Sequence, residues 1–259
     1  MEFNLQGRTA VVTGASRGIG LAVVQALAHE GVQVTAGARK SSDELDELAA
    51  SHGVRVVEVD LSRPEGAGTL VAAAGERLDI LINNVGGAPP RLGGFLEVTD
   101  EQWQACLNLN LMAAVRATRS ALALMLAAGR GVIVNIGSVN AFLPDPAVID
   151  YSAAKAALTN FAKSLSKEVG PHGIRVNSVH PGPVATDLWL GSDGVARQVA
   201  QASGQTPQQV ADGAVRGTVT GRFTRPEEVA ALVALLASDR TANMTGAGIT
   251  IDGGMITTL

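Results

Sequence analysis

The sequence predicts a single α/β domain, a doubly wound parallel sheet of about seven strands with helices on both faces. Along the 259 residues, short β-branched runs alternate with longer Ala- and Leu-rich stretches, which is the pattern of repeated βαβ units. Several short runs are apolar without alternation, as in strands that are covered on both faces. No linker rich in Pro, Gly or Ser divides the chain, so one domain over 1–259 is expected.

The predicted elements follow one another in strand–helix order. The predicted strands are Thr9–Thr13, Val32–Gly37, Val54–Val59, Ile80–Asn83, Gly131–Ile136, Ile174–Val179 and Gly248–Ile251. The predicted helices are 18–30, 42–52, 65–76, 100–128, 151–169 and 226–237. Ligands of such sheets bind beyond the carboxyl ends of the strands. The polar, glycine-rich stretch 188–224 interrupts the alternation and is either a surface insertion or a mobile lid over a substrate.

Composition excludes several classes of function. The net charge is −4, and no basic stripe with interleaved aromatics is present, which argues against a nucleic-acid partner. No apolar run approaches the ~20 residues of a membrane span, and the first residues lack the pattern of a secretory signal. Cys106 is the only cysteine, so we expect no internal disulfide, no metal site and a cytoplasmic location.

Glycines mark the turn between the first predicted strand and the first helix, T-G-A-S-R-G-I-G over 13–20. Gly14 allows a sharp turn, Gly18 lets a pyrophosphate approach the backbone, and Gly20 lets the helix pack closely on the sheet. The helix N-terminus then offers free N–H groups and its positive dipole end to a phosphate. The spacing is not the commoner G-x-G-x-x-G, and ordinary turn chemistry is the alternative. Its place in the first βα unit favours a nucleotide.

Charge near the second strand bears on which dinucleotide binds. An NAD site offers a carboxylate to the ribose 2′-OH there, but the expected position holds Ala38. Arg39 follows it, and Arg17 lies in the glycine turn; two guanidinium groups suit a 2′-phosphate. NADP(H) is therefore favoured over NAD(H), unless both arginines are ordinary surface residues. Asp60, after the third strand, is placed to accept from an adenine amino group.

Tyr151 and Lys155 open the predicted helix 151–169 and, being four residues apart, share one helix face. A free phenol titrates near ~10 and is a poor base at neutral pH, but a neighbouring ammonium favours phenolate. Such a pair is common on amphipathic helices, so its surroundings decide its meaning. Ser138, after the fifth strand, can donate to a substrate carbonyl beside the phenol. Asn110, inside a predicted helix, is a plain polar residue or a local break whose carbonyl holds a water connected to Lys155.

With these motifs in order, the chain resembles the short-chain dehydrogenases/reductases over essentially its whole length, and especially the 3-oxoacyl-acyl-carrier-protein reductases. The matching pieces are T-G-A-S-R-G-I-G at 13–20, N-N-V-G at 83–86, N-L at 110–111, G-S at 137–138, Y-S-A-A-K at 151–155, P-G-P-V-A-T at 181–186 and T-G-A-G-I-T-I-D-G-G at 245–254. Val85 stands where the family usually has alanine. The resemblance implies a Rossmann-type fold and an NAD(P)(H)-dependent enzyme.

The resemblance also implies roles for individual residues. Ser138, Tyr151 and Lys155 would form a catalytic triad, with Asn110 as its fourth member. Val184 and Thr186 would bind the nicotinamide carboxamide, and Lys155 the nicotinamide ribose. The full set expected at the cofactor is Gly14, Ser16, Arg17, Gly18, Ile19, Gly20, Arg39, Asp60, Leu61, Asn84, Gly86, Tyr151, Lys155, Val184 and Thr186.

These inferences predict interconversion of a ketone and a secondary alcohol by hydride transfer. The substrate pocket is expected from Gly86–Gly94, Val139–Phe142, Pro183 and 188–224. A lining of Phe95, Phe142, Leu143, Leu188 and Trp189 would suit a hydrophobic or 3-oxoacyl ketone, and Arg91 offers a site for an anion. The alternatives are an NAD-dependent alcohol or sugar dehydrogenase and a non-catalytic dinucleotide sensor. Related enzymes commonly form tetramers, and a homotetramer or dimer through 100–128 and 151–169 is expected, with Ala153, Ala156, Ala157 and Leu158 contributing.

Overall fold

The computed structural model describes residues 3–258. Within them, seven strands form one sheet: β1 (Thr9–Thr13), β2 (Gln33–Ala38), β3 (Arg55–Glu58), β4 (Ile80–Asn83), β5 (Gly131–Ile136), β6 (Ile174–Pro181) and β7 (Gly248–Ile251). Their order is β3-β2-β1-β4-β5-β6-β7, and every neighbouring pair is parallel. The predicted Rossmann-type, doubly wound sheet is confirmed. Residues 1, 2 and 259 of the predicted domain lie outside the described residues.

Ten α-helices are found within residues 3–258. They are α1 (Gly18–His29), α2 (Asp43–His52), α3 (Gly66–Ala73), α4 (Asp100–Leu107), α5 (Ala113–Ala128), α6 (Ile149–Val169), α7 (Asp187–Leu190), α8 (Val195–Ser203), α9 (Pro207–Arg216) and α10 (Pro226–Ala237). Every helix and strand that the sequence predicted is present, with its ends displaced by at most three residues, except that the predicted helix 100–128 is divided.

The central strands β1, β4 and β5 are buried on both faces of the sheet, to which their successive residues point in turn. Val11, Leu81 and Ile133 are aligned on β1, β4 and β5 and lie in the apolar cluster that α3, α5 and α6 complete. Val12 and Ile82 follow them along the chain and point into the other cluster, which α1 and α10 complete. This double coverage explains why the central strands are apolar without alternation.

A π-helical turn, Asn108–Met112, separates α4 from α5. By length and composition alone, Asp100–Ala128 is apolar enough to cross a membrane, with a mean hydropathy of 1.4 in one window of 18 residues. An apolar run of this length was not predicted from the sequence, because Arg116 and Arg119 interrupt it. Core helices of globular folds meet the same test, and α5 packs against the sheet through residues such as Ala117 and Met125, both fully buried.

The stretch 188–224 is mainly helical, which the sequence analysis did not predict. It contains most of α7 and all of α8 and α9. Helix α9 begins with a capping box, in which Thr206 accepts from the backbone of Gln209 and the Gln209 side chain accepts from the backbone of Thr206. Buried alanines hold both longer helices against the domain, Ala196 and Ala200 on α8 and Ala211 on α9.

Candidate active site

A cavity of about 1630 Å³ opens at the carboxyl ends of the strands, beside the glycine turn after β1. It lies where the strand order reverses between β1 and β4, the usual ligand position in such sheets. The predicted residues that line it are Gly14, Ser16, Arg17, Gly18, Ile19, Arg39, Asp60, Leu61, Asn84, Gly86, Ser138, Tyr151, Lys155, Val184 and Thr186. The other two, Gly20 and Asn110, lie behind the cavity wall.

The glycine turn has the backbone geometry that a phosphate cradle requires. Gly14 and Gly18 have φ of +66° and +56°, the left-handed region that side chains disfavour. A Cβ at Gly20 would lie 2.1 Å from the Gly14 carbonyl oxygen, so only glycine fits there. Arg17 caps α1 without a side-chain hydrogen bond, which leaves the first N–H groups of the helix available to a phosphate. The turn therefore fits a dinucleotide pyrophosphate.

Asn84 and Thr13 brace this turn from β4 and β1. The Asn84 side-chain amide donates to the carbonyl oxygens of Thr13 and Gly14, each at 2.9 Å. The Thr13 hydroxyl accepts from the backbone N–H groups of Asn84 and Val85 at 2.8 and 3.0 Å. Asn84 thus shapes the cavity floor as well as lining it. The bracing role of Thr13 was not predicted, because its partners are about seventy residues away in sequence.

Basic side chains surround the end of β2. Ala38 is buried there, and the exposed residues Arg17 and Arg39 line the cavity together with Lys40. Asp60 lines the same end of the cavity. Hydrogen bonds from the Ser62 hydroxyl and backbone N–H hold the pKa of Asp60 below its usual value, so its carboxylate remains an acceptor.

Tyr151 and Lys155 stand on the first turns of α6 and face the same cavity. The Lys155 ammonium donates to the Ile136 carbonyl at 2.7 Å, which directs it to the end of β5. Burial lowers the pKa of Lys155 to about 8. Burial also raises the pKa of the Tyr151 phenol to about 12, and the Ser138 hydroxyl beside it acts in the opposite direction. In the protein alone, therefore, the phenol is firmly protonated.

Ser138 lies two residues after the end of β5 and is buried at the cavity wall. Its hydroxyl accepts from the Asn140 backbone N–H at 3.1 Å and donates to the Asn140 side-chain oxygen at 3.2 Å. Asn140 also lines the cavity. From the sequence, Asn140 was expected only as part of a pocket segment, and its contact with Ser138 was not predicted. The signal for it was a serine two residues earlier, because such a hydroxyl often caps the following turn.

Asn110 occupies the π-helical turn and is 2% exposed. Its side chain accepts from the Gly87 N–H and donates to the Gly87 carbonyl, both at 3.0 Å. A Cβ on Gly86 would lie 2.8 Å from Asn110 Oδ1 and 3.6 Å from Lys155 Nζ. The turn therefore ties the segment after β4 to the region of Lys155, in the local break that the sequence suggested for this asparagine.

The predicted substrate wall is partly wrong. Leu143, Leu188 and Trp189 line the cavity, together with apolar residues of α8 and α9 such as Val199 and Val210. Phe95 and Phe142 do not line it. Phe95 is mostly exposed, and Phe142 packs edge-on against His180 with ring centres 4.9 Å apart. Both aromatics lie on turns whose direction the sequence does not reveal.

The sequence suggested Arg91 as a site for an anion, but its guanidinium is already paired with another residue of the chain. Its Nη2 and Nε atoms donate to one carboxylate oxygen of Asp150 at 2.5 and 3.0 Å. The Arg91 side chain is 12% exposed and that of Asp150 is fully buried. The guanidinium is therefore already neutralised by a buried partner. Among residues 3–258, no group of three or more His, Cys, Asp and Glu side chains is arranged to hold a metal ion.

Comparison with known proteins identifies the family. Residues 8–193 match the short chain dehydrogenase family. The chain is a short-chain dehydrogenase. Two relatives span nearly its full length. The 3-oxoacyl-[acyl-carrier-protein] reductase FabG of Vibrio cholerae is 32% identical over 98% of this chain and 99% of its own. The 3-alpha-(or 20-beta)-hydroxysteroid dehydrogenase of Mycobacterium tuberculosis is 35% identical over 99% and 92%.

Solved structures of the same fold resemble this short-chain dehydrogenase closely. L-sorbose reductase from Gluconobacter frateurii, complexed with NADPH and L-sorbose, superposes with a TM-score of 0.90 at 35% identity over 100% of both chains. A putative NAD(P)-dependent gluconate 5-dehydrogenase from Beutenbergia cavernae, with bound NADP, gives 0.86 at 32% identity over 100% of both. The chain is thus an NAD(P)-dependent oxidoreductase of the ketone–alcohol class, resembles the 3-oxoacyl reductases and acts on a small molecule.

Proposed function

We propose that this short-chain dehydrogenase is an NADP(H)-dependent reductase of hydrophobic ketones, with Tyr151 as acid and base. One observation carries the proposal: the phenol of Tyr151, the hydroxyl of Ser138 and the ammonium of Lys155 meet at the wall of the cavity that begins at the glycine turn. A protein that only sensed a dinucleotide would not need these proton-transfer groups. The non-catalytic alternative is therefore less well supported.

The chemistry follows from the placement of these three groups. A bound reduced nicotinamide would supply the hydride to the carbonyl carbon. Ser138 and Tyr151 would both donate hydrogen bonds to the carbonyl oxygen, which stabilises the negative charge that develops there. Tyr151 would then give up its proton to form the alcohol, and Lys155 would stabilise the resulting phenolate. In the reverse direction the phenolate accepts the proton from the alcohol.

The proton that Tyr151 loses has to be replaced. The Lys155 ammonium lies over the Tyr151 ring, and the Gly86 position is close to both that ammonium and the Asn110 side chain. A pKa near 8 suits Lys155 for passing a proton at neutral pH. We propose that Lys155 and a water held by the Asn110 backbone carbonyl relay the replacement proton from solvent to the phenol.

The preference for NADP(H) rests on charge. Arg17, Arg39 and Lys40 line the cavity where β2 ends, and Ala38 leaves no carboxylate to bind a 2′-hydroxyl. A 2′-phosphate would gain charge-assisted hydrogen bonds from the guanidinium groups. The NADPH-bound L-sorbose reductase and the NADP-bound gluconate 5-dehydrogenase homologue support the same preference. Asp60, whose carboxylate stays ionised, would accept from the adenine amino group.

The substrate class rests on the apolar part of the cavity wall. Leu143, Leu188, Trp189, Val199 and Val210 all line it, and they favour an extended hydrophobic ketone or a 3-oxoacyl thioester. A sugar is the second candidate, because L-sorbose reductase is among the similar structures. The helices of 188–224 supply much of this wall, and we propose that this segment closes over the substrate as a lid.

A paired titration tests the assignment. Purified protein is assayed with NADPH and with NADH against 3-oxoacyl thioesters, hydrophobic ketones and ketoses, following the loss of reduced-nicotinamide absorbance. We expect kcat/KM for NADPH to exceed that for NADH at least tenfold, and a hydrophobic ketone to be reduced faster than any ketose. A preference for NADH with sugar substrates would favour the dehydrogenase alternative. Cofactor binding without turnover on any carbonyl would favour the sensor.

Self-association is proposed for the outer face of α5 and α6. Ala123, Leu126 and Ala153 are exposed there, whereas Leu158 is 2% exposed and belongs to the core, contrary to the sequence prediction. We propose a homotetramer, the state that the resemblance to short-chain dehydrogenases implies; light scattering after size exclusion would detect it as about four times the chain mass of 26.4 kDa. The cytoplasmic location is likewise proposed and is testable by cell fractionation.

A further inference from the structure

A buried ion pair joins two walls of the active site. Arg91 lies on the segment that follows β4, and Asp150 lies in the first turn of α6, directly before Tyr151. Both contacts of the guanidinium reach one oxygen of the carboxylate, Oδ2. Asp150 is fully buried, so this charge pair is shielded from solvent and its geometry is tightly constrained.

The other contacts of the two residues extend the connection. The second Asp150 oxygen, Oδ1, accepts from the backbone N–H of Tyr151 at 2.9 Å. The Arg91 backbone N–H donates to the Ala147 carbonyl at 2.6 Å. Ala147 lines the cavity, as does Pro90 beside Arg91. The substrate wall after β4 is thus tied to the start of the helix that carries Tyr151 by both side-chain and backbone bonds.

A third element meets the same carboxylate. Cys106 on α4 is buried, and burial together with the Asp150 carboxylate raises the pKa of its thiol to about 11. The Asn110 side chain donates to the Cys106 carbonyl at 3.1 Å and contacts its sulfur at 3.4 Å. Asp150 therefore connects Arg91, Tyr151 and, through Cys106, the turn that holds Asn110.

We propose that Arg91 and Asp150 are positioning residues for the reduction, which hold the Tyr151 end of α6 and the wall after β4 at the distance that a ketone requires. The inference rests on the proposed function. A buried pair adds little net stability, because desolvation of the charges offsets their attraction. Its geometric constraint remains, and small displacements of reacting groups have large effects on turnover.

The chain offers a matched control at the amino-terminal ends of the strands, on the side of the sheet away from the cavity. Asp79, directly before β4, is buried and pairs with Arg77 and Arg130. It also accepts from the Thr9 backbone N–H. Asp79 is therefore a buried, ion-paired aspartate remote from the carboxyl edge where the cavity opens. Asp79→Asn should lower thermal stability as Asp150→Asn does and leave turnover unchanged.

The kinetic experiment separates positioning from folding. In Arg91→Met and Asp150→Asn we expect kcat/KM for the ketone to fall about 100-fold, with the NADPH Kd within twofold of wild type. The double variant Arg91→Met/Asp150→Asn leaves no unpaired buried charge, so its Tm should recover while kcat/KM stays low. Arg91→Lys keeps the positive charge but cannot donate two hydrogen bonds from a guanidinium, and its kcat/KM should be about tenfold below wild type. The kcat/KM of Asp79→Asn should stay within twofold of wild type.

A second measurement does not depend on turnover. Tyr151 is the only tyrosine, so tyrosine labelled with ¹³C at Cζ alone gives one ring signal in the NMR spectrum. We expect this signal to shift or broaden in Arg91→Met and in the double variant, and to coincide with wild type in Asp79→Asn. If the wild type reduces no ketone, the proposed function fails. The NMR spectrum alone then decides whether Arg91 and Asp150 position Tyr151. A recovered kcat/KM in the double variant, or an unmoved signal in Arg91→Met, would overturn the proposal.

Discussion

The ammonium nitrogen of Lys155 lies 5.6 Å from the centre of the Tyr151 ring, one helical turn away. This contact places a positive charge over the face of the phenol ring, and in the proposed mechanism that charge would stabilise the phenolate. The same ammonium is hydrogen-bonded to the end of β5, so the relationship is set by the sheet as well as by the helix.

Tyr151→Phe removes the proton that reduction requires. General acid–base catalysis contributes about 10²–10⁴ to rate, so we expect kcat to fall by about that factor. Cofactor binding should be preserved, because the aromatic ring remains, and the NADPH Kd measured by fluorescence should stay within twofold. Asn160→Ala, an exposed position on the same helix, is the control and should keep full turnover. A Tyr151→Phe enzyme with wild-type kcat would remove the basis of the assignment.

Lys155→Met should change the pH dependence of stability. The folded pKa of Lys155, about 8, lies below its ordinary value of 10.5, so the unfolded chain binds this proton more tightly. Wild-type stability therefore gains with rising pH between about 8 and 10.5, and the variant lacks that gain. Below pH 8 the buried charge costs wild type up to about 3 kcal/mol.

Urea unfolding of both proteins at several pH values between 7 and 10 measures this difference. The free energy of unfolding of Lys155→Met relative to wild type should decline steadily as the pH rises. The lost hydrogen bond to Ile136 adds a constant offset and does not alter the slope. Burial keeps the folded Tyr151 phenol protonated up to pH 10, so its contribution is nearly the same in the two proteins over this range. Parallel curves across this range would contradict the prediction.

Gly86→Ala should damage the site without replacing any residue of the predicted catalytic set. The new Cβ would lie 2.8 Å from the Asn110 side-chain oxygen, and the buried amide has little room to move. We expect a stability loss of about 1–3 kcal/mol and at least a tenfold fall in kcat. Gly68→Ala on α3 is the matched control: its Cβ would meet nothing closer than 3.9 Å, so it should stabilise the helix slightly. Equal activity in the two variants would argue against the close packing around Asn110.

Arg39→Ala should weaken NADPH and spare NADH. Loss of a charge-assisted hydrogen bond costs about 1.5–3 kcal/mol, so the NADPH Kd should rise about tenfold to a hundredfold. The NADH Kd should change less than twofold, since NADH lacks the phosphate. Ala38→Asp should add a preference for NADH by offering a carboxylate to the 2′-hydroxyl. Lys167→Ala on α6 removes a positive charge elsewhere and controls for net charge. An equal loss of affinity for NADPH and NADH in Arg39→Ala would show that Arg39 does not bind the 2′-phosphate.

Local patterns predicted the elements and much of the candidate site. The strands were readable because their apolar runs are short, and the glycine turn because its conformation excludes other residues. Helices α8 and α9 were missed, although Thr206 and Gln209 form a capping signal. Their surroundings are rich in glycine, and each helix buries only a narrow apolar stripe, so the short pattern was not distinct from loop composition.

The sequence by itself determined the succession of strands and helices along the chain, the glycine turn after β1 and the shared helix face of Tyr151 and Lys155, because these depend on neighbours a few residues apart. Only the tertiary structure decided that Arg91 pairs with Asp150 instead of a ligand, and that Asn110 forms hydrogen bonds with Gly87. Those partners are 59 and 23 residues apart in the chain, and such contacts exist only once helices have packed on the sheet. No local periodicity records them, since the fold creates the proximity.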